Sequence, residues 1–100
     1  MYMTRRDLVK FEWDKGNIDK NYQKHWITPN EAEEVFLDDN AITLDDESHS
    51  VSEKRLNVIG KTMRKTVLFV AFTLRSKRIR IISARIANKK ERSMYEEKNI

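Results

Sequence analysis

The stretch KRLNVIGKTMRKTVLFVAFTLRSKRIRIISA, Lys54 to Ala84, carries three runs rich in aliphatic and aromatic residues, separated only by MRK and RSK. Runs of this kind read as strands, and connections this short join strands as hairpins, not as crossovers. The stretch therefore predicts an antiparallel meander with strands starting at Lys54, Thr66 and Lys77. VLFVAF, Val67 to Phe72, is apolar without alternation, which predicts a middle strand covered on both faces. In KRIRIISA a regular strand turns Ile79, Ile81 and Ser83 to one face and Arg78, Arg80 and Ile82 to the other.

Working outward, AITL, Ala41 to Leu44, predicts one more short strand, and DDESHSVSE, Asp45 to Glu53, an exposed loop. In TPNEAEEVF, Thr28 is placed as an N-cap, Pro29 takes the first helical position and Glu31 completes a capping box, so a helix is expected from Pro29 to about Leu37. Ile18, Tyr22 and Trp26 recur one helical turn apart and predict an earlier helix from about Lys15 to His25. Asn88 followed by Glu91 repeats the capping-box pattern and should start a last helix through Met94 and Tyr95. The order is α-α-β-β-β-β-α. It predicts one α+β domain over residues 1–100, with two N-terminal helices and a C-terminal helix against one face of a small antiparallel sheet of about four strands.

The net charge of +4 conceals a strong segregation. From His25 to Glu53 there are nine acidic and no basic residues, whereas Lys54 to Arg92 holds thirteen basic and one acidic. Such a block is the footprint of a polyanion-binding face, because each Lys or Arg that neutralises a phosphate releases counterions. The competing reading is a solvated basic surface satisfied by the chain's own acidic segment.

Several function classes drop out. No cysteine is present, which removes disulfides, thiolate metal sites and thiol nucleophiles, and fits a reducing cytoplasm. The longest apolar run is far below the ~20 residues that span a bilayer, so neither membrane anchor nor signal peptide is expected. Two glycines cannot build a phosphate loop or a dinucleotide fingerprint, and no nucleotide cofactor is expected. The two histidines, His25 and His49, lack a metal-binding spacing, and no metal is expected.

Phosphodiester chemistry without a metal remains. RNA carries its own nucleophile, the 2′-OH, so a catalyst needs a base for that proton, an acid for the leaving 5′-oxygen and cations for the charged transition state. Arginine suits the last role, since its planar fork holds two phosphate oxygens. Arg78, Arg80 and Arg85 all stand on or just after the last strand; for Arg85 the alternative is a structural bond to Glu91. His25 and His49 are acid or base candidates, and Trp13 is either a base-stacking platform or a core residue.

These elements occur in a recognisable order. FEWD at Phe11 to Asp14, Asn21 with Lys24 and His25, EAEEVFLDDNA from Glu31, the His49, Glu53, Arg55 spacing, IGKT from Ile59, and RIISARIANKKERSMYEE from Arg80 together resemble the BrnT family. The resemblance implies a RelE-like ribonuclease fold and the toxin role in a bacterial type II toxin–antitoxin module. It also implies RNA cleavage that inhibits translation, and a hetero-oligomer with a BrnA-type antitoxin through which alone operator DNA is contacted. It places Arg85, Arg55, Glu53, His49 and His25 as the catalytic candidates, with Arg80 as a supporting cation; the charge and aromatic pattern adds Arg78, Lys54 and Trp13 to Arg80 as RNA contacts. Two other readings stay open: a non-catalytic nucleic-acid-binding module, and a basic surface for docking the antitoxin. One departure stands out. The family pattern has glycine directly after the Lys-His pair, where this chain has Trp26, so the preceding helix is expected to end differently or run on.

Overall fold

The computed structural model describes residues 10–13, 26–46 and 53–98. The helix expected over Lys15 to His25 lies outside them. The elements are β1 (Lys10–Trp13), α1 (Pro29–Glu34) running into a 3-10 turn (Val35–Leu37), β2 (Ile42–Asp45), β3 (Arg55–Lys61), β4 (Val67–Arg75), β5 (Arg78–Ile86) and α2 (Lys89–Lys98).

Both capping boxes form. Thr28 Oγ1 accepts the Glu31 amide at 3.2 Å while the Glu31 carboxylate accepts the Thr28 amide at 3.1 Å. At α2, Asn88 Oδ1 accepts the Glu91 amide at 2.8 Å and Glu91 returns the contact to the Asn88 amide at 2.9 Å. Each box satisfies amides that a helix start otherwise leaves unpaired.

The sheet has five strands in the order β1-β5-β4-β3-β2. The meander is as expected, with β3, β4 and β5 antiparallel and β2 antiparallel to β3. Two expectations need correction. KFEW forms β1, which pairs parallel with β5, so the sheet is mixed and has five strands instead of about four. The helices also divide between the faces. On one, Ala32 and Val35 of α1 and its 3-10 turn pack with Val58, Leu68, Val70 and Ile81; on the other, Tyr95 of α2 packs with Ile42, Ile59 and Val67. The central position of β4 explains the division, because its continuous apolar run needs cover on both sides. Leu68, Val70 and Ile81 are fully buried, each contributing about 1.5–3 kcal/mol by leaving water.

A register shift opposite Ala71 and Phe72 also alters the last strand. Ala71 pairs with Ser83 and Phe72 with Ile81, leaving Ile82 as an extra residue in β5. A bulge of this kind reverses the alternation beyond it. Ser83 consequently joins Arg78 and Arg80 on one face, against the regular alternation read from the sequence, and Arg85, expected just after the strand, lies within it on the same face.

Among the described residues, Trp26, Lys65, Ser76 and Lys77 adopt the left-handed region without glycine's freedom. Trp26 has φ 59°, the conformation that favours glycine after a helix, so tryptophan replaces glycine here without removing the backbone requirement. Ser76 and Lys77 form a two-residue hairpin loop with φ 49° and 65°. Positive φ at both central residues defines a turn that prefers Asn-Gly. Changing Ser76→Asn with Lys77→Gly is expected to stabilise the fold by about 1 kcal/mol, raising the melting temperature by roughly 4–8 °C. An unchanged or lower melting point would remove this account of the turn.

Candidate functional site

On the sheet face that carries α2, cross-strand pairing arranges side chains in rows. Arg55, Thr73 and Arg80 stand opposite one another across β3, β4 and β5; Asn57, Ala71 and Ser83 form the next row, and Ile59, Phe69 and Arg85 the one beyond. The buried contacts of α2 gather at the Ile59 and Val67 end through Tyr95 and Met94. Among the described residues, no helix packs on the rows that hold Arg55, Thr73, Arg80, Asn57 and Ser83. Arg75 and Arg78 extend the same face at the strand ends, where they too are paired.

Most of these cations touch carboxylates of the same chain. Arg75 makes a two-pronged contact with Glu53, at 3.0 and 3.3 Å. Arg55 Nε lies 3.5 Å from Asp46 and Lys54 Nζ 3.5 Å from Asp45, while Arg78 reaches Glu12 at 3.4 Å. The acidic segment therefore does satisfy part of the basic block. Apart from the half-buried Arg55–Asp46 contact, these pairs lie on the surface, where ion pairs are worth little and exchange readily with other anions.

Arg85 is held differently. Its guanidinium donates to both oxygens of Glu91, at 2.7 and 2.8 Å, and lies 4.3 Å over the Phe69 ring. The hydrogen bonds to Glu91 raise the Arg85 pKa further, in spite of partial burial. Burial alone would raise the Glu91 pKa, but bonds from Arg85 and the Asn88 amide hold it below the usual carboxylate range. Since Glu91 also closes the capping box of α2, Arg85 ties the sheet to that helix. Replacing Arg85→Ala is expected to cost about 1–2 kcal/mol, below a fully buried pair because its side chain is 38% exposed and partly screened. A double-mutant cycle with Glu91→Ala in urea should show most of that cost as coupling; additive single effects would dismiss the anchor role.

A second tie joins α2 to the far side of the sheet. Tyr95 O–H donates to Asp38 at 2.6 Å, and Asp38 also accepts the Lys61 and Asn40 amides. Burial and the Asp38 carboxylate push the Tyr95 pKa up to about 12.

The structure brings Arg55, Arg80, Arg78, Arg75 and Arg85 to one face, with Glu53 and Lys54 at its edge. Trp13 is on the opposite face: its ring packs against the α1 core and its indole N–H donates to Glu33 at 2.8 Å. The core reading applies to it, and the structure does not bring it to the arginines. His25 and His49 lie outside the described residues. Sequence reasoning missed Thr73, a lone hydroxyl in the run VLFVAFTL, and placed Ser83 on the wrong face.

A small mixed-sheet α+β domain with arginines along one sheet face presents a surface that can accept an anionic chain. Residues 13–91 match a family described as "Ribonuclease toxin, BrnT, of type II toxin-antitoxin system". The chain belongs to this BrnT family of ribonuclease toxins. Its fold is also similar to the crystal structure of the Brucella abortus ribonuclease toxin BrnT, with a TM-score of 0.64 and 24% sequence identity, covering 81% of this chain and 99% of that one. A comparison with curated proteins finds no match. Among the described residues no helix is long and apolar enough to cross a membrane.

Proposed function

We propose that the arginine face binds single-stranded RNA and cleaves it without a metal, and that this cleavage inhibits translation. The observation that carries the reading is the row Arg55, Thr73, Arg80. Arg55 and Arg80 stand two strands apart, about 10 Å between backbones, so their long side chains can close on one phosphate over the strand between them. The 2′-oxygen attacks phosphorus as a base takes its proton, the bond to the 5′-oxygen breaks, and an acid protonates that oxygen. The products are a 2′,3′-cyclic phosphate and a 5′-hydroxyl.

Glu53 is the first choice of base. It precedes Arg55 by two positions and lies beside Arg75 on the rim of the face. His49 and His25 follow as acid or base candidates. Arg85, two rows away, contacts the chain at another phosphate, and Arg78 and Lys54 add charge at the edges. The setting is a RelE-like domain spanning residues 1–100, acting in the cytoplasm. A BrnA-type antitoxin neutralises it in a hetero-oligomer and supplies the contacts to operator DNA.

The test is a defined RNA incubated with the purified chain in excess chelator, followed by end-group analysis. Fragments ending in cyclic phosphate are the expected result. Binding with a steep salt dependence and no fragments, on free RNA or on translating ribosomes, would replace catalysis with the binding-module reading.

The pairs with Asp46, Glu53 and Glu12 favour a second role for the same face. It accepts carboxylates, so an acidic antitoxin segment can occupy the RNA groove. RNA and antitoxin should then compete; simultaneous tight binding by one chain would separate the two sites.

A further inference from the structure

The described face contains one side chain that neither the fold nor the ion pairs account for. Thr73 is 2% exposed and its Oγ1 has no hydrogen-bond partner among the described residues. It points to the arginine face, directly between Arg55 on β3 and Arg80 on β5. A buried hydroxyl left unbonded opposes folding, and valine would fill the same β-branched shape in a strand without that cost. Two other positions of β4, Val67 and Val70, are indeed valine. With no partner among the described residues, the hydroxyl is open to one from outside the chain.

We infer that Thr73 is a substrate-contact residue: its hydroxyl donates to a non-bridging oxygen of the RNA phosphate held between Arg55 and Arg80. The inference rests on the RNA-binding reading of this face and deepens it by assigning the seat of one phosphate. Two guanidinium forks approach the anion from the sides while the hydroxyl approaches from the floor, which fixes its depth. Thr73 is buried between its two arginine neighbours, so their side chains part as the phosphate enters and Oγ1 meets it at the floor.

A hydroxyl and a guanidinium leave different signatures. Loss of a neutral donor weakens binding at every salt concentration alike, whereas loss of a cation also flattens the salt dependence. The experiment compares Thr73→Val, Thr73→Ser and Arg80→Ala in the full-length chain. Affinity is measured on a 2′-O-methyl RNA that cannot be cut, over a salt series, and cleavage on the unmodified RNA, with melting curves for each protein.

Thr73→Val should lose about tenfold in both affinity and kcat/KM, with the salt slope unchanged and a melting temperature equal to or above the wild type. Thr73→Ser should stay within about twofold of the wild type in binding and cleavage, because it retains the donor. Wild-type binding by Thr73→Val, or a serine variant as weak as the valine one, overturns the assignment. So does a valine variant that melts well below the wild type, since the hydroxyl would then serve the fold. A wild-type chain that neither binds nor cuts RNA overturns the RNA reading itself, whereas an Arg80-dependent salt slope with an unaffected Thr73→Val removes only Thr73.

Discussion

Alanine at both Arg55 and Arg80 is expected to lower RNA cleavage at least ~100-fold, since each charged contact with phosphate is worth roughly 1.5–3 kcal/mol. The same double variant should flatten the dependence of log affinity on log salt by roughly 1.4, or about 0.7 for each cation removed from a single-stranded phosphate chain. Arg55 is not a free surface cation. Its Nε lies 3.5 Å from Asp46, whose side chain is 13% exposed, and alanine alone would remove that contact from a largely buried carboxylate. Asp46→Asn in the same background removes this charge and separates folding from binding, so melting temperatures and cleavage rates should be read together. A double variant that folds and cuts RNA at the wild-type rate would sink the assignment of the phosphate site to this row.

Valine at Gly60 is expected to abolish most of the stability. Gly60 is buried in β3 beneath the 3-10 turn, and a Cβ there would lie 2.7 Å from Val35 Cγ1, 3.0 Å from the Val35 carbonyl oxygen and 3.2 Å from Ala41 Cβ. The glycine is required for space, since its φ is not positive. The turn above it cannot easily retreat, because Asp38 accepts the Lys61 amide at 2.8 Å and Glu34 the Met63 amide at 3.1 Å. Overpacking by one methyl costs about 1–3 kcal/mol, and valine adds two more carbons at the same place. Against a total of about 5–15 kcal/mol for a domain, the valine variant should be largely lost to unfolding or aggregation. Gly60→Ala is the milder form, and its urea midpoint should fall clearly. Trimming the neighbour with Val35→Ala should recover only part of that loss, since the carbonyl contact remains. A Gly60→Val chain with a wild-type urea midpoint would show that the turn moves away freely.

The two capping boxes were legible because each is decided within four residues. Thr28 with Glu31 and Asn88 with Glu91 need no information from the rest of the chain. The hairpins were legible for a similar reason, as short connections leave adjacent strands few alternatives to pairing. The alternatives for Arg85 could be named from sequence because Glu91 lies only six residues away, yet spacing alone could not choose between anchor and catalyst. The bidentate contact and the ring beneath it show the anchor; the side chain is still 38% exposed. Glu53 and Arg75 are 22 positions apart, and nothing local announces their pairing.

What the sequence by itself determined is the meander from Lys54 to Ala84, the two helix starts, the buried middle strand and the concentration of cations in one block. Each follows from spacing, turn length or composition, all short-range properties of a chain. What only the tertiary structure decided is where those cations point. Four residues of β1 have no local signal strong enough to mark a strand, and they gain their pairing from β5, far along the chain. The extra residue at Ile82 cannot be seen until β4 fixes the register, yet it turns Ser83 and Arg85 onto the arginine face. A one-residue shift inverts a strand because its side chains alternate with a period of two, so the surface was set by pairing partners outside the segment that carries it.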